Sequence, residues 1–244
     1  MTHRIACVFA HPDDETFLTG GIIAKYASEG IGTDLFCATS GDAGKTSGVP
    51  VSSREELAEL RRAELRSAAR VLGIELVEIG KYTDGTLHEL EPTDLIGDVV
   101  SFLRRTKPSV VIGFGPEGAP TGHRDHRAMS RVVTAAFFLS GLKTAYPEQV
   151  DGGLSTHRAL RLYYHAWKYP HRDPRLKLES VPATAAIDIR PWLDRKLAAF
   201  KEHKTQQYAY DLFVNDVLLD YEYFALAAGV PQRNPMDDDL FSGL

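Results

Sequence analysis

Short apolar runs alternate with helical stretches along the first half of the 244-residue chain, in the order βαβαβαβα. Parallel strands need long crossovers, and those crossovers are right-handed, so this order restricts the chain to an α/β fold. The sheet is mostly parallel, with helices on both of its faces. The strands are read at Ile5–Phe9, Thr33–Thr39, Leu76–Ile79 and Val110–Phe114. Helices follow at about 14–28, at Ser53–Leu72 with Gly73 as its stop, from an N-cap at Thr93 to about Arg105, and at His123–Leu139. The second half is less regular. Strands are predicted at Leu160–Ala166 and Ala183–Ile189 and a helix at Pro191–His203. Glu222–Ala227 fits a strand or a short helix, and the acidic tail Met236–Asp239 is expected to be loosely held. No repeat divides the chain, and 1–244 reads as a single domain.

Composition narrows the classes of function. The formal net charge is −5, which gives no support to a nucleic-acid role. No apolar stretch approaches the ~20 residues needed to span a bilayer. The start, Met1-Thr2-His3-Arg4, does not read as a secretory leader. Cys7 and Cys37 lie in apolar runs and read as reduced, buried thiols. The expected compartment is the cytoplasm.

Two polar clusters interrupt the apolar pattern, each after a strand. Ala10-His11-Pro12-Asp13-Asp14-Glu15 follows the first strand, and Gly122-His123-Arg124-Asp125-His126 follows the fourth through the loop 115–122. Parallel strands place both clusters on the carboxyl edge of the sheet, where ligands bind in open α/β folds. A helix start needs one or two acidic residues, not the whole set. His11, Asp14 and His126 can converge as two imidazoles and one carboxylate, a donor set that suits a catalytic Zn2+ with an open position, and also Fe2+. Asp13 is placed to act as general base on a water. His123, as an imidazolium, could stabilise an oxyanion and protonate a leaving group, with Asp125 fixing its tautomer and raising its pKa.

On these two motifs the chain resembles the zinc-dependent N-deacetylases of the LmbE-like, or PIG-L-like, family, over most of its first 140 residues. The resemblance implies a Rossmann-like three-layer sandwich. It implies metal ligands at His11, Asp14 and His126, a base at Asp13, and an acid at His123 tuned by Asp125. It further implies hydrolysis of an N-acetyl group from a small amino-sugar compound, and assembly into a homo-oligomer. Ser40-Gly41-Asp42-Ala43-Gly44 resembles the family's Gly-Glu-x-Gly loop, with Asp42 in place of Glu reaching toward substrate hydroxyls. Arg61 stands where the family has an Arg near the active site, and Asp84-Gly85 resembles its Asp-Gly turn, so Asp84 can bind substrate or shape the turn. Lys196 and His203-Lys204-Thr205-Gln206 resemble a late Lys…His-x-Ser-Gln element, read as structural. Of the other histidines, His165 ends a strand and can line the site, whereas His88, His157 and His171 lack paired ligands. Tyr163, Tyr164, Trp167 and Tyr169 are read as core.

Other readings of the same residues are an amidase of a larger amide, such as a thiol-sugar conjugate or acylated antibiotic, a non-haem Fe(II) oxygenase, and a non-catalytic sugar-binding module. An oxygenase triad has no need of the free Asp13 and His123 beside it. In the hydrolase readings, specificity is assigned to the loops 44–52 and 115–122 and to the second half of the chain.

Overall fold

A computed structural model describes residues 3–167, 180–214 and 220–244. Tyr169 and His171 lie outside these residues. Seven strands form one sheet: β1 (Arg4–Phe9), β2 (Gly32–Thr39), β3 (Ile74–Tyr82), β4 (Val110–Phe114), β5 (Arg161–Ala166), β6 (Ala185–Asp188) and β7 (Tyr221–Gly229). Their spatial order is β3-β2-β1-β4-β5-β7-β6. The first five are parallel, and β7 and β6 close the far edge in antiparallel fashion. The helices are α1 (Asp14–Ser28), α2 (Arg54–Leu72), α3 (Thr93–Thr106), α4 (Arg124–Leu139), α5 (Pro147–Asp151), α6 (Leu193–Glu202) and α7 (Gln207–Leu212). Helices α1, α2 and α6 pack together, and α3 packs on α4. The result is the α/β three-layer sandwich that the strand–helix alternation requires. No helix among the described residues is long and apolar enough to cross a membrane.

The central strands are apolar because both faces are covered: Ile5, Ala6, Cys7, Val8, Phe9, Val110, Val111 and Ile112 are fully buried. Ser53 caps α2 by accepting the Glu56 N–H, and Gly73 ends it at φ 87°, in the left-handed region that favours glycine. Three readings differ from expectation. Helix α3 is capped by Pro92 rather than Thr93, whose hydroxyl donates to Glu91 instead. The helix predicted at 191–203 starts with a 3-10 turn, Arg190–Trp192, where Pro191 supplies a fixed φ. The 222–227 segment takes the strand of its two expected forms, pinned between β5 and β6. The acidic tail is not loose. Asp237 is 1% exposed, exchanges backbone hydrogen bonds with Thr184 and Ala186, and is followed by Asp239, which accepts from the Tyr26 hydroxyl.

Strand order reverses between β1 and β4. There the crossovers leave in opposite directions and open a crevice at the carboxyl ends of the two strands. The loops carrying His11–Glu15 and His123–His126 both leave from this edge.

Candidate active site

The β1–α1 turn is built by its own side chains. The His11 N–H donates to Asp14 Oδ2 at 2.8 Å, fixing that carboxylate against the loop. Asp13 caps α1 at φ 115° and ψ −27°, a conformation a β-carbon makes costly. Arg61 reaches in from α2, 3% exposed, and donates to the Pro12 carbonyl and, at 2.9 Å, to the Gly41 carbonyl. It also pairs with Asp13 at 3.4 Å. Gly41 must be glycine: its φ is 67°, and a β-carbon there would lie 2.2 Å from the Arg61 guanidinium.

His11 Nδ1 and His126 Nε2 face each other at 3.2 Å. Asp14 lies beside both, 3.6 Å from His11 Nδ1 and 3.3 Å from His126 Nε2. The outer ring nitrogens are taken: His126 Nδ1 is 3.0 Å from the Gly118 carbonyl, and His11 Nε2 is 3.0 Å from Asp84 and 3.3 Å from Asp125. In the neutral rings, outer N–H groups held by acceptors leave the inner nitrogens as bare lone pairs. Two lone pairs and a carboxylate aimed at one point repel each other unless a cation lies between them. The donor set fits a divalent metal, and two imidazoles with one carboxylate suit zinc or iron.

Positive charge is favoured at this point: burial alone would push the His11 imidazole down, yet Asp125, Asp14 and Asp84 hold it well above its ordinary value, and a metal ion bound here would take the place of that proton. Burial works against the charged form of Asp14, but His126 and His11 hold its carboxyl well below the carboxylate range. Asp13 moves the other way. Burial lifts it to about 6, Asp14 and Glu15 add to the rise, and Arg61 and His203 offset part of it.

The second cluster departs from expectation at two residues. The Asp125 carboxylate does not face His123. Fully buried, it accepts the Gly85 N–H at 2.7 Å and the Leu87 N–H at 3.1 Å, and lies beside His11 and His88. Despite burial, the His11 and Gly85 hydrogen bonds hold its pKa down at about 2. Among the described residues, the ring of His123 receives only the backbone N–H of Asp125, at Nδ1 and 3.2 Å. Its pKa is lowered rather than raised, by burial first and then by the two neighbouring imidazoles. The neutral ring therefore carries its proton on Nε2, because Nδ1 is the acceptor.

A cavity of about 360 Å³ opens over this centre. His11, Asp13, Asp14, Arg61, Asp84, His123 and His126 form its polar floor. Asp42 does not line it. One Asp42 oxygen accepts the Asp84 N–H and the other is held by Arg54, so the shorter carboxylate braces the neighbouring turn. His165 also lies outside this cavity, buried against Phe224. His88, read as unpartnered, packs on Asp125. The opposite wall, whose residues the sequence did not single out, is made by Phe17, Phe200, Gln206, Tyr208, Ala209 and Leu212, from α1, α6, the 3-10 turn Lys204–Gln206 and α7. Of the two loops assigned to specificity, 115–122 contributes Pro120 and Thr121, whereas 44–52 contributes only Gly44, next to Ala43. The one signal for the second-half wall was the late Lys…His-x-x-Gln element that ends at Gln206.

The sequence profile of PIG-L, GlcNAc-PI de-N-acetylase, matches residues 6–137. A 1D-myo-inositol 2-acetamido-2-deoxy-alpha-D-glucopyranoside deacetylase of Rhodococcus erythropolis is 30% identical, over 99% of this chain and 97% of its own. Among solved structures, the N,N'-diacetylchitobiose deacetylase of Pyrococcus horikoshii superposes with a TM-score of 0.74 at 23% identity, over 91% of this chain and 83% of the other. The 4-carboxy-2-hydroxymuconate hydratase of Pseudomonas putida does so at 0.71 and 19%, over 95% and 99%. The last two share the fold while being named for different reactions, so the fold by itself does not choose the chemistry. The profile match across both motifs, together with a relative aligned along nearly the whole chain, makes this protein a member of the PIG-L family of N-deacetylases.

Proposed function

We propose that the chain is a zinc-dependent hydrolase that removes the N-acetyl group from a small N-acetylglucosaminyl compound of the inositol-linked type. The observation that carries the reading is the convergence of His11 Nδ1, His126 Nε2 and Asp14 with their outer nitrogens already occupied. These three residues would hold the ion. When bound, it supplies Lewis acidity, lowering the pKa of a water toward neutrality and polarising the amide carbonyl. Asp13, with a pKa near 6, is ionised at neutral pH yet basic enough to take the proton of the attacking water. His123, neutral and protonated on Nε2, donates a hydrogen bond to the developing oxyanion, and the proton that Asp13 took from the water passes on to the departing amine. Arg61 holds the Pro12 peptide and the Asp13 carboxylate in place, and Asp84 and Asp125 orient His11.

The test pairs metal analysis with acetate release from N-acetylglucosaminyl-inositol and simpler N-acetylglucosamine compounds. Release that stops on chelation and returns with zinc supports the reading. At full metal occupancy, Asp13→Ala should lower kcat by about 10²–10⁴-fold. Wild-type turnover in that variant removes the base assignment. Hydration of an unsaturated acid, with no amide turned over, would place the chain with the hydratase instead.

A further inference from the structure

We propose that the buried pair Glu15–His203 is a positioning device for Asp13, holding the strained peptide that aims its carboxylate into the cavity. The proposal rests on the assignment of Asp13 as the base. A non-glycine residue at φ 115° stays there only when its surroundings over-determine it. Asp13 is held on both sides of its α-carbon. Its carbonyl accepts the N–H groups of Thr16 at 3.1 Å and Phe17 at 2.8 Å, and its own N–H donates to Glu15 Oε2 at 3.0 Å. The peptide before it is held through the Pro12 carbonyl by Arg61.

Glu15 can play this part only if its charge is compensated, because it is 1% exposed. Its other oxygen, Oε1, accepts from Thr16 Oγ1 at 2.5 Å and from His203 Nε2 at 2.8 Å. His203 is also 1% exposed and comes from the end of α6, 188 residues along the chain. Burial by itself would lower its pKa, but Glu15 and Asp13 outweigh burial and raise it. The path therefore runs from α6 through His203 and Glu15 to the backbone of Asp13. Neither Glu15 nor His203 lines the cavity, so neither touches substrate. An ordinary helix-start carboxylate would satisfy free N–H groups of α1. This one instead takes the N–H of the residue whose side chain meets the reacting water.

The experiment compares Asp13→Ala, Glu15→Ala, Glu15→Gln and His203→Phe at full zinc occupancy, reading kcat, KM, bound zinc and Tm. Displacing a catalytic group by about 1 Å costs about 10²-fold, so Glu15→Ala and His203→Phe should lose kcat on that scale. KM and bound zinc should stay near wild type, because the metal and substrate contacts are intact. Glu15→Gln should recover most of kcat, since its amide oxygen can accept the Asp13 N–H, while His203, no longer facing a charge, can turn neutral with its proton on Nδ1 and let Nε2 accept from the amide NH2. A merely structural role predicts falls in Tm, zinc content or KM without this split. A folded, zinc-loaded Glu15→Ala with wild-type kcat overturns the proposal, as does a Gln variant as slow as the Ala variant. If Glu15→Ala does not fold, the same decision is read from His203→Phe against His203→Gln, which keeps a donor toward Glu15. Unchanged turnover in Asp13→Ala is a separate failure, that of the base assignment.

Discussion

Asp125 shows how little separates two roles for one carboxylate. His123 lies two residues before it, and that closeness suggests an acid and its tuning partner. In the fold, Asp125 begins α4 and its side chain points back beneath the site, where the Gly85 and Leu87 amides and the His11 ring meet it. Only its backbone N–H reaches His123. Asp125→Asn should therefore act through His11. Loss of such an outer partner typically weakens metal binding by 10–100-fold, so the zinc Kd from chelator competition should rise by about that factor. The proton held by His123 should be little affected. A variant with unchanged zinc affinity but a displaced pH profile would return Asp125 to the role its sequence position suggests.

At the scale of elements, the parallel half of the sheet was legible because β1, β2 and β4 are buried, mostly apolar runs and helices fill the crossovers between strands. The metal cluster was legible for a related reason: both motifs follow strands of that half, so topology alone brings them to one edge. The antiparallel half was not. Its strands alternate weakly, and its key contacts join residues far apart in sequence, such as Lys196 of α6 and Glu222 of β7. This pair is nearly sealed, at 2% and 4% exposure, with a separation of 2.6 Å. It also grips the middle of α1. Glu222 accepts the Gly21 and Ile22 N–H groups, while Lys196 donates to the carbonyl of Phe17, the helical partner of Gly21. Removing one member strands the other, so Lys196→Met should cost roughly 3–5 kcal/mol in urea unfolding. Lys196→Met with Glu222→Leu should cost less than the single change, because the freed N–H groups can turn to α1's own carbonyls. If the double variant is the less stable of the two, the ion pair contributes more than its replacement by apolar packing.

The whole molecule is best taken as one folding unit, because a single sheet runs from β3 to β6 and both halves of the chain supply it. Its pH dependence then belongs to the molecule, and one buried group gives it a distinct sign. His165 is 3% exposed on β5 with no partner for Nδ1 among the described residues, and burial, reinforced by Lys196, pushes its pKa down to about 3. In the unfolded chain the same imidazole titrates near about 6.5. Below that pH the unfolded state takes up a proton that the folded state refuses. The stability associated with neutral His165 is thus complete above about pH 6.5 and declines as the pH falls toward 3, at up to about 1.4 kcal/mol per pH unit. His203, with a raised pKa, has the opposite sense: its contribution is full below the unfolded value and is lost as the pH rises through the folded one. His165→Phe should remove the first effect and leave the second. In urea unfolding between about pH 7 and about pH 5, the slope of stability against pH should flatten by about one proton relative to wild type, whatever the absolute stability of the variant. Carboxylates titrate in both proteins and cancel in the comparison. Equal slopes would mean that His165 accepts its proton in the folded state, and so that the β5 edge of the core admits water.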